Sequence, residues 1–462
     1  MTCSDTLTVG NVQDYLVNDT KIKVAAVDID GVLRGKVMHK DKFLSIVEDG
    51  FGFCSVIFGW DLHDKAYSTK LEFGGSDFDF GDLIAKVDLA SYRRIPWEDN
   101  IPFFLLYLYH PQTKKPLYCD SRSVLKQAMD DFEEMGLVPY SGVEFEFFCF
   151  KETLESLSEK GHSQLKPLTL GMTGYSLIRP LQNQDFYYHA FDWLKEFKVD
   201  VESWHTETGP GVFEAAVAYT DSKESGDRAT LFKTSMKQIG YKHGVMPSFM
   251  AKPYGDLPGC SGHMHFSLKN KEGKNVFAQG EMSETYPTMS KMMVYFLAGV
   301  LHGLPSILAI LAPTINSYKR LVENFWAPVS VSWGIDSRHC AVRVIAPPST
   351  SASATRMEMR VSGADINPHL ALAAVLKCGY WGIKTQQNLP CGPQVGTDSK
   401  DNIPLARTLQ EATVEMDRKD SVARKVLGDE FVNHYVATRK HEWNLWQNAV
   451  TDYELKRYME LI

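Results

Sequence analysis

The chain has 462 residues, with 49 Lys and Arg against 57 Asp and Glu and a net charge of −8. With 44% hydrophobic and 23% charged residues it reads as a soluble globular protein, long enough for two or three domains at about 150 residues each. That balance excludes a disordered tail, a collagen-like repeat and a disulfide-stapled miniprotein. It also leaves no basic excess for a nucleic-acid backbone.

Residues 21–37 alternate apolar and polar around Asp28-Ile29-Asp30-Gly31, which predicts a hairpin turning at Asp-Gly. Strand-like runs follow at Cys54–Phe58 and Ile84–Leu89, and Phe103–Tyr109 reads as a buried strand. His110–Pro116 is the best linker. Beyond it, Asp120 caps a helix predicted to reach Met135 and to stop at Gly136. The chain therefore divides into a small, mainly β domain at 1–113 and a larger domain of mixed helix and strand at 114–462. Met292–Tyr318 lacks Asp, Glu, Lys and Arg and is long enough to span a bilayer. Gly299, Gly303, Pro305 and Pro313 interrupt it, so a buried core helix breaking near Pro305 is expected instead. The eight cysteines are scattered without a C-x-x-C pair, the pattern of reduced, mostly buried thiols. The first residues show no basic n-region or apolar h-region, so no secretory leader is expected. The expected location is cytoplasmic, with neither a membrane nor a nucleic-acid partner.

Three strand-like segments carry polar groups at i and i+2, and strand side chains alternate. Glu144 and Glu146 share a face in Gly142–Phe148, with phenylalanines on the other. His263, His265 and Ser267 share one in Gly262–Leu268. Arg356, Glu358 and Arg360 do the same, with two methionines opposite. One such face alone fits a solvated antiparallel strand, but three in apolar surroundings point to a site. A fourth segment, His205–Glu214, folds at Gly209-Pro210-Gly211 and lets Glu207 and Glu214 converge. Five glutamates and one or two histidines without thiolates select Mg²⁺ or Mn²⁺ over softer metals. Arg320, Arg338, Arg343, Arg356 and Arg360 supply forked donors for carboxylates and phosphates. No G-x-x-x-x-G-K-[ST] motif occurs, which excludes a P-loop. From the residues alone, the chain reads as a metal-dependent phosphoryl-transfer or ligase enzyme.

In order and spacing these segments resemble the glutamine synthetase superfamily, type I in length. The matching pieces are Glu144-x-Glu146, Glu207…Pro-Gly…Glu214, Gly262-x-x-His265-x-Ser-Leu with His263, Asn316-Ser-Tyr-Lys-Arg320, and Arg356-Met-Glu358-Met-Arg360 followed by Asn367-Pro368. The resemblance implies an α+β fold. A small N-terminal β-grasp domain would precede a large catalytic domain whose curved antiparallel sheet, flanked by helices, lines a funnel for ATP and glutamate. It implies that Glu146, Glu207 and Glu214 hold one metal and Glu144, His263 and Glu358 a second, with two or three Mg²⁺ or Mn²⁺ per site. Arg320, Arg360 and Gly259 would bind glutamate. His265, Ser267, Arg343 and Arg356 would serve ATP, and Arg338 the transferred phosphoryl group. The implied reaction is ATP-dependent: glutamate γ-carboxylate is phosphorylated, and an amine then displaces phosphate to leave a γ-glutamyl amide. The implied assembly is a homo-oligomer, a dodecamer of two hexameric rings, with sites shared between neighbouring subunits.

One departure bears on the nucleophile. Ammonia-using members of the family usually carry Pro-Gly-x-Glu-Ala-Pro, whose glutamate deprotonates ammonium. Here Trp326 stands at that place within Val322–Pro328, and Glu323 is three positions early. Asp61 and Asp64 are alternatives from a loop that only loosely matches the usual ammonium-binding one. Three readings follow: a ligase for a primary amine larger than ammonia, slightly favoured, with Trp326 and Asp64 at the amine site and Glu323 or Asp61 in catalysis; a true glutamine synthetase; and a non-catalytic structural protein keeping the fold.

Overall fold

The computed structural model describes residues 6–69, 71, 80–322, 327–395 and 402–462. Glu323 and Trp326 lie outside the described residues.

The first sheet has five strands: β1 (Lys21–Val27), β2 (Leu33–His39), β3 (Phe51–Cys54), β4 (Asp82–Ile95) and β5 (Ile101–Tyr109), in the order β2-β1-β5-β4-β3. β1 and β5 pair in parallel at its centre, and the other neighbours are antiparallel. The predicted hairpin turns where expected. Asp28 Oδ1 accepts from the Asp30 and Val32 amides at 3.0 and 2.8 Å, and Gly31 takes φ +83°, closed to most side chains. The strand expected over Cys54–Phe58 is corrected: β3 ends at Cys54, and Ser55–Phe58 form one 3-10 turn. A short apolar run cannot tell a strand from a buried turn by periodicity.

The second sheet contains β6 (Leu137–Phe150), β7 (Val201–Thr206), β8 (Val212–Asp221), β9 (Met246–Ser248), β10 (Gly262–Asn270), β11 (Trp333–Ile335), β12 (Val342–Ile345) and β13 (Arg356–Met359). Its order is β11-β12-β13-β10-β6-β8-β7, with β9 added to the end of β6. Every pairing is antiparallel except β11 with β12. Helices pack on its apolar face. Phe145 of β6 stacks on Phe232 of the helix Ser222–Lys242 with rings 5.9 Å apart, and Phe147 meets Phe249 at 5.3 Å.

The charge-free segment forms one helix, Lys291–Leu311, that runs through Pro305 without the expected break. An interior proline costs roughly 3 kcal/mol, but this helix is buried on almost every side, and packing outweighs that loss. It is long and apolar enough to cross a membrane, yet 78% of its apolar window is buried in the protein, as in a core helix. Its partner is Pro368–Thr385, and a Cβ on Gly299 would sit 2.7 Å from Gly382 Cα, so glycine permits the close crossing. The described cysteines are free thiols, five of the seven buried.

Segments far apart in sequence clamp the β1–β2 turn. Asn367 Nδ2 donates to the carbonyls of Asp28 and Ile29 at 3.1 and 3.2 Å and to Ser121 Oγ at 2.8 Å, while Arg439 pairs with Asp30. Near this junction His434 is fully buried, edge-on to Phe58 and Tyr118. Among the described residues neither ring nitrogen has a hydrogen-bond partner. Burial pulls its pKa from the ordinary 6.5 down to about 4. Because the folded value is depressed, its contribution is intact above pH 6.5 and is lost as pH falls toward 4. The loss amounts to about 3 kcal/mol at roughly 1.4 kcal/mol per unit. His434→Leu should therefore flatten the acid limb of stability between pH 6.5 and 4 in urea titrations. An unchanged acid limb would remove His434 from this role.

Candidate active site

Strand register builds the site row by row. Across β10 and β6, His263 lies opposite Glu144. Across β6, β8 and β7, Glu146 lies opposite Glu214, which lies opposite His205. Across β12, β13 and β10, Arg343 faces Glu358 and Glu358 faces His265. Directly opposed residues have Cβ atoms about 5 Å apart, so this sheet face gathers the polar groups that the alternation of each strand predicts.

Two clusters of donor atoms result. Glu144, His263 and Glu358 place one ligand atom each within 4.8 Å of one another, and so do His205, Glu207 and Glu214. His263 Nδ1 is 3.6 Å from Glu358 Oε1 and 3.9 Å from Glu144 Oε2. The tight turn between β7 and β8 forms the second cluster, with the Glu207 amide donating to Val212 O at 2.9 Å. Gly211 is required in that turn: φ is +70°, and a Cβ would meet Cys149 O at 2.5 Å. Glu146 stands between the clusters, and its Oε2 accepts from the Ser261 amide at 2.6 Å. His205 joins Glu207 and Glu214 in this cluster, while Glu146, which the resemblance places with them, lies directly opposite Glu214. The signal for His205 was present in the sequence, because His205 and Glu207 are spaced i, i+2 at a strand end. Tyr175 gave no such signal. Its ring stacks on His205 at 4.3 Å and 16°, and its amide donates to Thr206 O at 2.7 Å, stapling a distant loop over the cluster.

The electrostatics follow from crowding. Burial, then the charges of Glu146, Glu144 and Glu207, push Glu214 up to about 9. Burial also raises Glu146, against the pull of Arg320. Burial works to raise Glu144 too, but His265, whose Nε2 is 3.2 Å away, and Arg356 outweigh it and hold that carboxyl near 2. His263 is driven well below its usual range by burial and by Arg360 and Arg320, so its imidazole is neutral and able to ligate. Hard carboxylate oxygens, neutral imidazole and no thiolate suit Mg²⁺ or Mn²⁺. Crowded anions that retain a proton in the absence of a cation fit the same assignment.

The arginines frame the clusters. Arg343 Nη1 donates to Glu358 Oε2 at 3.2 Å, and the guanidinium also grips Asp336. Arg360 pairs with Glu358 and donates from Nε to Arg338 O at 3.1 Å. Arg356 Nε donates to His265 Nδ1 at 3.2 Å. Arg320 is buried and donates once from Nη1 to Val361 O and once from Nη2 to Arg360 O, which leaves a second hydrogen on each nitrogen. Gly259 packs against it, since a Cβ there would lie 2.9 Å from Arg320 Cγ. Arg338 is exposed, and its charge reaches His263. Ser267 follows His265 on the same face of β10, opposite Tyr140. Asp61 and Asp64 are not joined to the clusters by their own contacts. Asp61 accepts from the His63 and Lys65 amides and meets His441 Nε2 at 3.1 Å, and Asp64 pairs with Arg34 at 2.7 Å.

A family model for the glutamine synthetase catalytic domain matches residues 118–458. The chain belongs to the glutamine synthetase family. Accordingly it is an ATP-dependent glutamate ligase that forms a carbon–nitrogen bond. It is 43% identical to "type-1 glutamine synthetase 2" of Dictyostelium discoideum over 98% of this chain and 87% of that protein. It is 33% identical to a glutamate–isopropylamine ligase of a Pseudomonas species over 98% of both. The solved structure of GmaS in complex with ADP superposes with a TM-score of 0.82 at 22% identity, covering 99% of this chain and 100% of that one; at that identity the likeness concerns the fold.

Two expected outcomes follow. A cation entering beside Glu214 must displace its proton, since the folded pKa lies above pH 7 and above the ordinary carboxylate value. Apparent Mn²⁺ affinity should therefore rise from pH 6 toward pH 9, with proton release visible by calorimetry in buffers of different ionisation enthalpy. Binding with no proton release would contradict the assignment. Separately, Glu358→Ala removes the anion between Arg343, Arg360 and His263. Glutamate-dependent phosphate release should drop at least about 100-fold with the circular dichroism spectrum retained, and undiminished turnover would show that Glu358 is no ligand.

Proposed function

We propose that this ligase joins the glutamate γ-carboxylate to a primary amine with a carbon body in preference to ammonia. The observation that carries this reading is Trp326, which stands where ammonia-using members place a basic glutamate. An indole offers neither anion nor base. It offers a flat apolar wall and a ring face that attracts an alkylammonium by roughly 0.5–2 kcal/mol. The similarity to the glutamate–isopropylamine ligase of the Pseudomonas species supports the same direction.

In this reading Glu144, His263 and Glu358 hold one divalent cation, and Glu207 and Glu214, with Glu146 or His205, hold another. Bound there, the cations would neutralise charge on the ATP phosphates. Arg343, Arg356 and Arg338 face the transferred phosphoryl group, while Arg320 and Arg360 orient the carboxylates of glutamate. A γ-carboxylate oxygen attacks the γ-phosphorus and the bond to ADP breaks. The amine nitrogen then attacks the activated carbonyl carbon, phosphate leaves with its oxygen, and the ammonium proton passes to a nearby carboxylate. Glu323, Asp61 and Asp64 are the candidates for that last role. As the resemblance implies, the loop carrying Asp61 and Asp64 would serve the active site of a neighbouring copy, so the homo-oligomer, a dodecamer of two hexamers, is part of this proposal.

Ammonia is the second reading, supported by the name of the Dictyostelium relative. ATP turnover with glutamate, Mg²⁺ and a panel of ammonium, methylamine, isopropylamine, ethanolamine and a polyamine separates the two. The proposal expects a higher kcat/KM for at least one organic amine, and a shift toward ammonium in Trp326→Glu. Efficient use of ammonium with no competing amine would decide for the second reading.

A further inference from the structure

Behind the face that carries the carboxylate clusters lies a cavity of about 720 Å³, a size typical of pockets for small organic ligands. Its walls come from the β1–β2 turn, the helix Ser222–Lys242, the segment through β9, and the helix Asp429–Gln447. Met246, Pro247, Phe249, Met250 and Tyr241 give much of it an apolar character. It is separate from the funnel face, because Lys233 of the cavity sits 5.7 Å over the ring of Phe145 and 5.6 Å over that of Phe249. Phe145 points away from the face carrying its neighbours Glu144 and Glu146.

The charged groups around this cavity are unequally matched. Asp30 is paired with Arg439. Glu152 is paired with Lys160. Asp365 Oδ2 accepts from the hydroxyls of Thr314 and Ser317 at 2.7 and 2.6 Å. The two lysines have no such partners. Among the described residues Lys233 Nζ donates only to the carbonyl of Ile366, at 2.8 Å, and Lys237, at the solvent-exposed mouth, has neither hydrogen bond nor ion pair. Two lysines one helical turn apart, beside an apolar chamber, make no ion pair among the described residues; the carboxylate whose charge reaches Lys233 is Asp365, which keeps its hydrogen bonds to Thr314 and Ser317.

We propose that this cavity binds an organic anion with an extended apolar body, whose charged end is held by Lys233 and Lys237. The body would lie along Phe249, Met246 and Met250. Burial first, and then the charge of Lys237, already pull the Lys233 ammonium down to about 7 against the field of Asp365, which an incoming anion would relieve. A ligand there would touch Phe249 and Lys233 and, through them, the back of the strand that carries Glu144 and Glu146.

The inference stands apart from the identity of the amine and is tested by binding alone. Decanoate and 4-phenylbutyrate, an aliphatic and an aromatic body on one head group, are titrated calorimetrically into the full-length protein in Mg²⁺, with decanol and acetate as controls. At least one of the two carboxylates should bind at a single site, and which of them does identifies the body. Decanol and acetate should not bind. Lys237→Met and Lys233→Met should each weaken binding about tenfold or more, whereas saturating ADP with glutamate should leave it unchanged. Binding of neither carboxylate, equal binding of decanol, an unaltered affinity in Lys237→Met, or displacement by ADP and glutamate would each overturn the proposal. Should Lys233→Met fail to fold, Lys237→Met decides.

Discussion

Five carboxylates crowded at one face of a single sheet set the terms for the rest of this molecule. At an effective dielectric of about 20, two like charges 4 Å apart repel by about 4 kcal/mol, and this site assembles several such pairs. The chain answers in two ways. It retains a proton on Glu214, and it surrounds the acids with His205, His263, His265, Arg343, Arg356 and Arg360. Divalent cations are the natural third answer. The same array that is costly when empty therefore becomes favourable when loaded, and a rigid scaffold is needed to keep it from springing apart.

The apolar face of the same strands provides that scaffold. Between Glu144 and Glu146, Phe145 stacks flat on Phe232, and Phe147 packs among Trp204, Phe213, Phe232 and Phe249. Such rings bury large apolar areas and gain about 0.5–1.5 kcal/mol per well-oriented pair beyond burial. Because front and back alternate residue by residue, the carboxylates cannot retreat without pulling aromatic rings out of the core. Catalytic geometry and folding stability are thus properties of one set of strands.

That alternation is also why so much was legible beforehand. A polar i, i+2 pattern survives in sequence because strand periodicity is local, so Glu144, Glu146, His263, His265, Arg356 and Glu358 could be gathered without coordinates. What the sequence concealed depended on packing at a distance. The helix through Pro305 persists because it is buried on almost every side, which no local breaker rule registers. The strand reading of Cys54–Phe58 failed where a short buried turn mimics a strand. Tyr175 reaches His205 through a loop hydrogen-bonded to Thr206, some thirty residues away in the chain. The unpaired lysines behind the sheet became visible only once the cavity around them was.

The N-terminal loop carries the last step of the argument. Asp61 is drawn up by burial, yet the His63 and Lys65 amides and His441 outweigh that and hold it below the ordinary carboxylate range. His441 belongs to the same helix as Arg439, which fixes the β1–β2 turn through Asp30, so the charge and the position of Asp61 are set by one element. A carboxylate held low is a good counter-ion for an ammonium and a poor acceptor of its proton. In the proposed reaction Asp61 therefore fits the role of binding the incoming amine as a cation. The deprotonation then falls to another group, which shifts the search for the base away from Asp61.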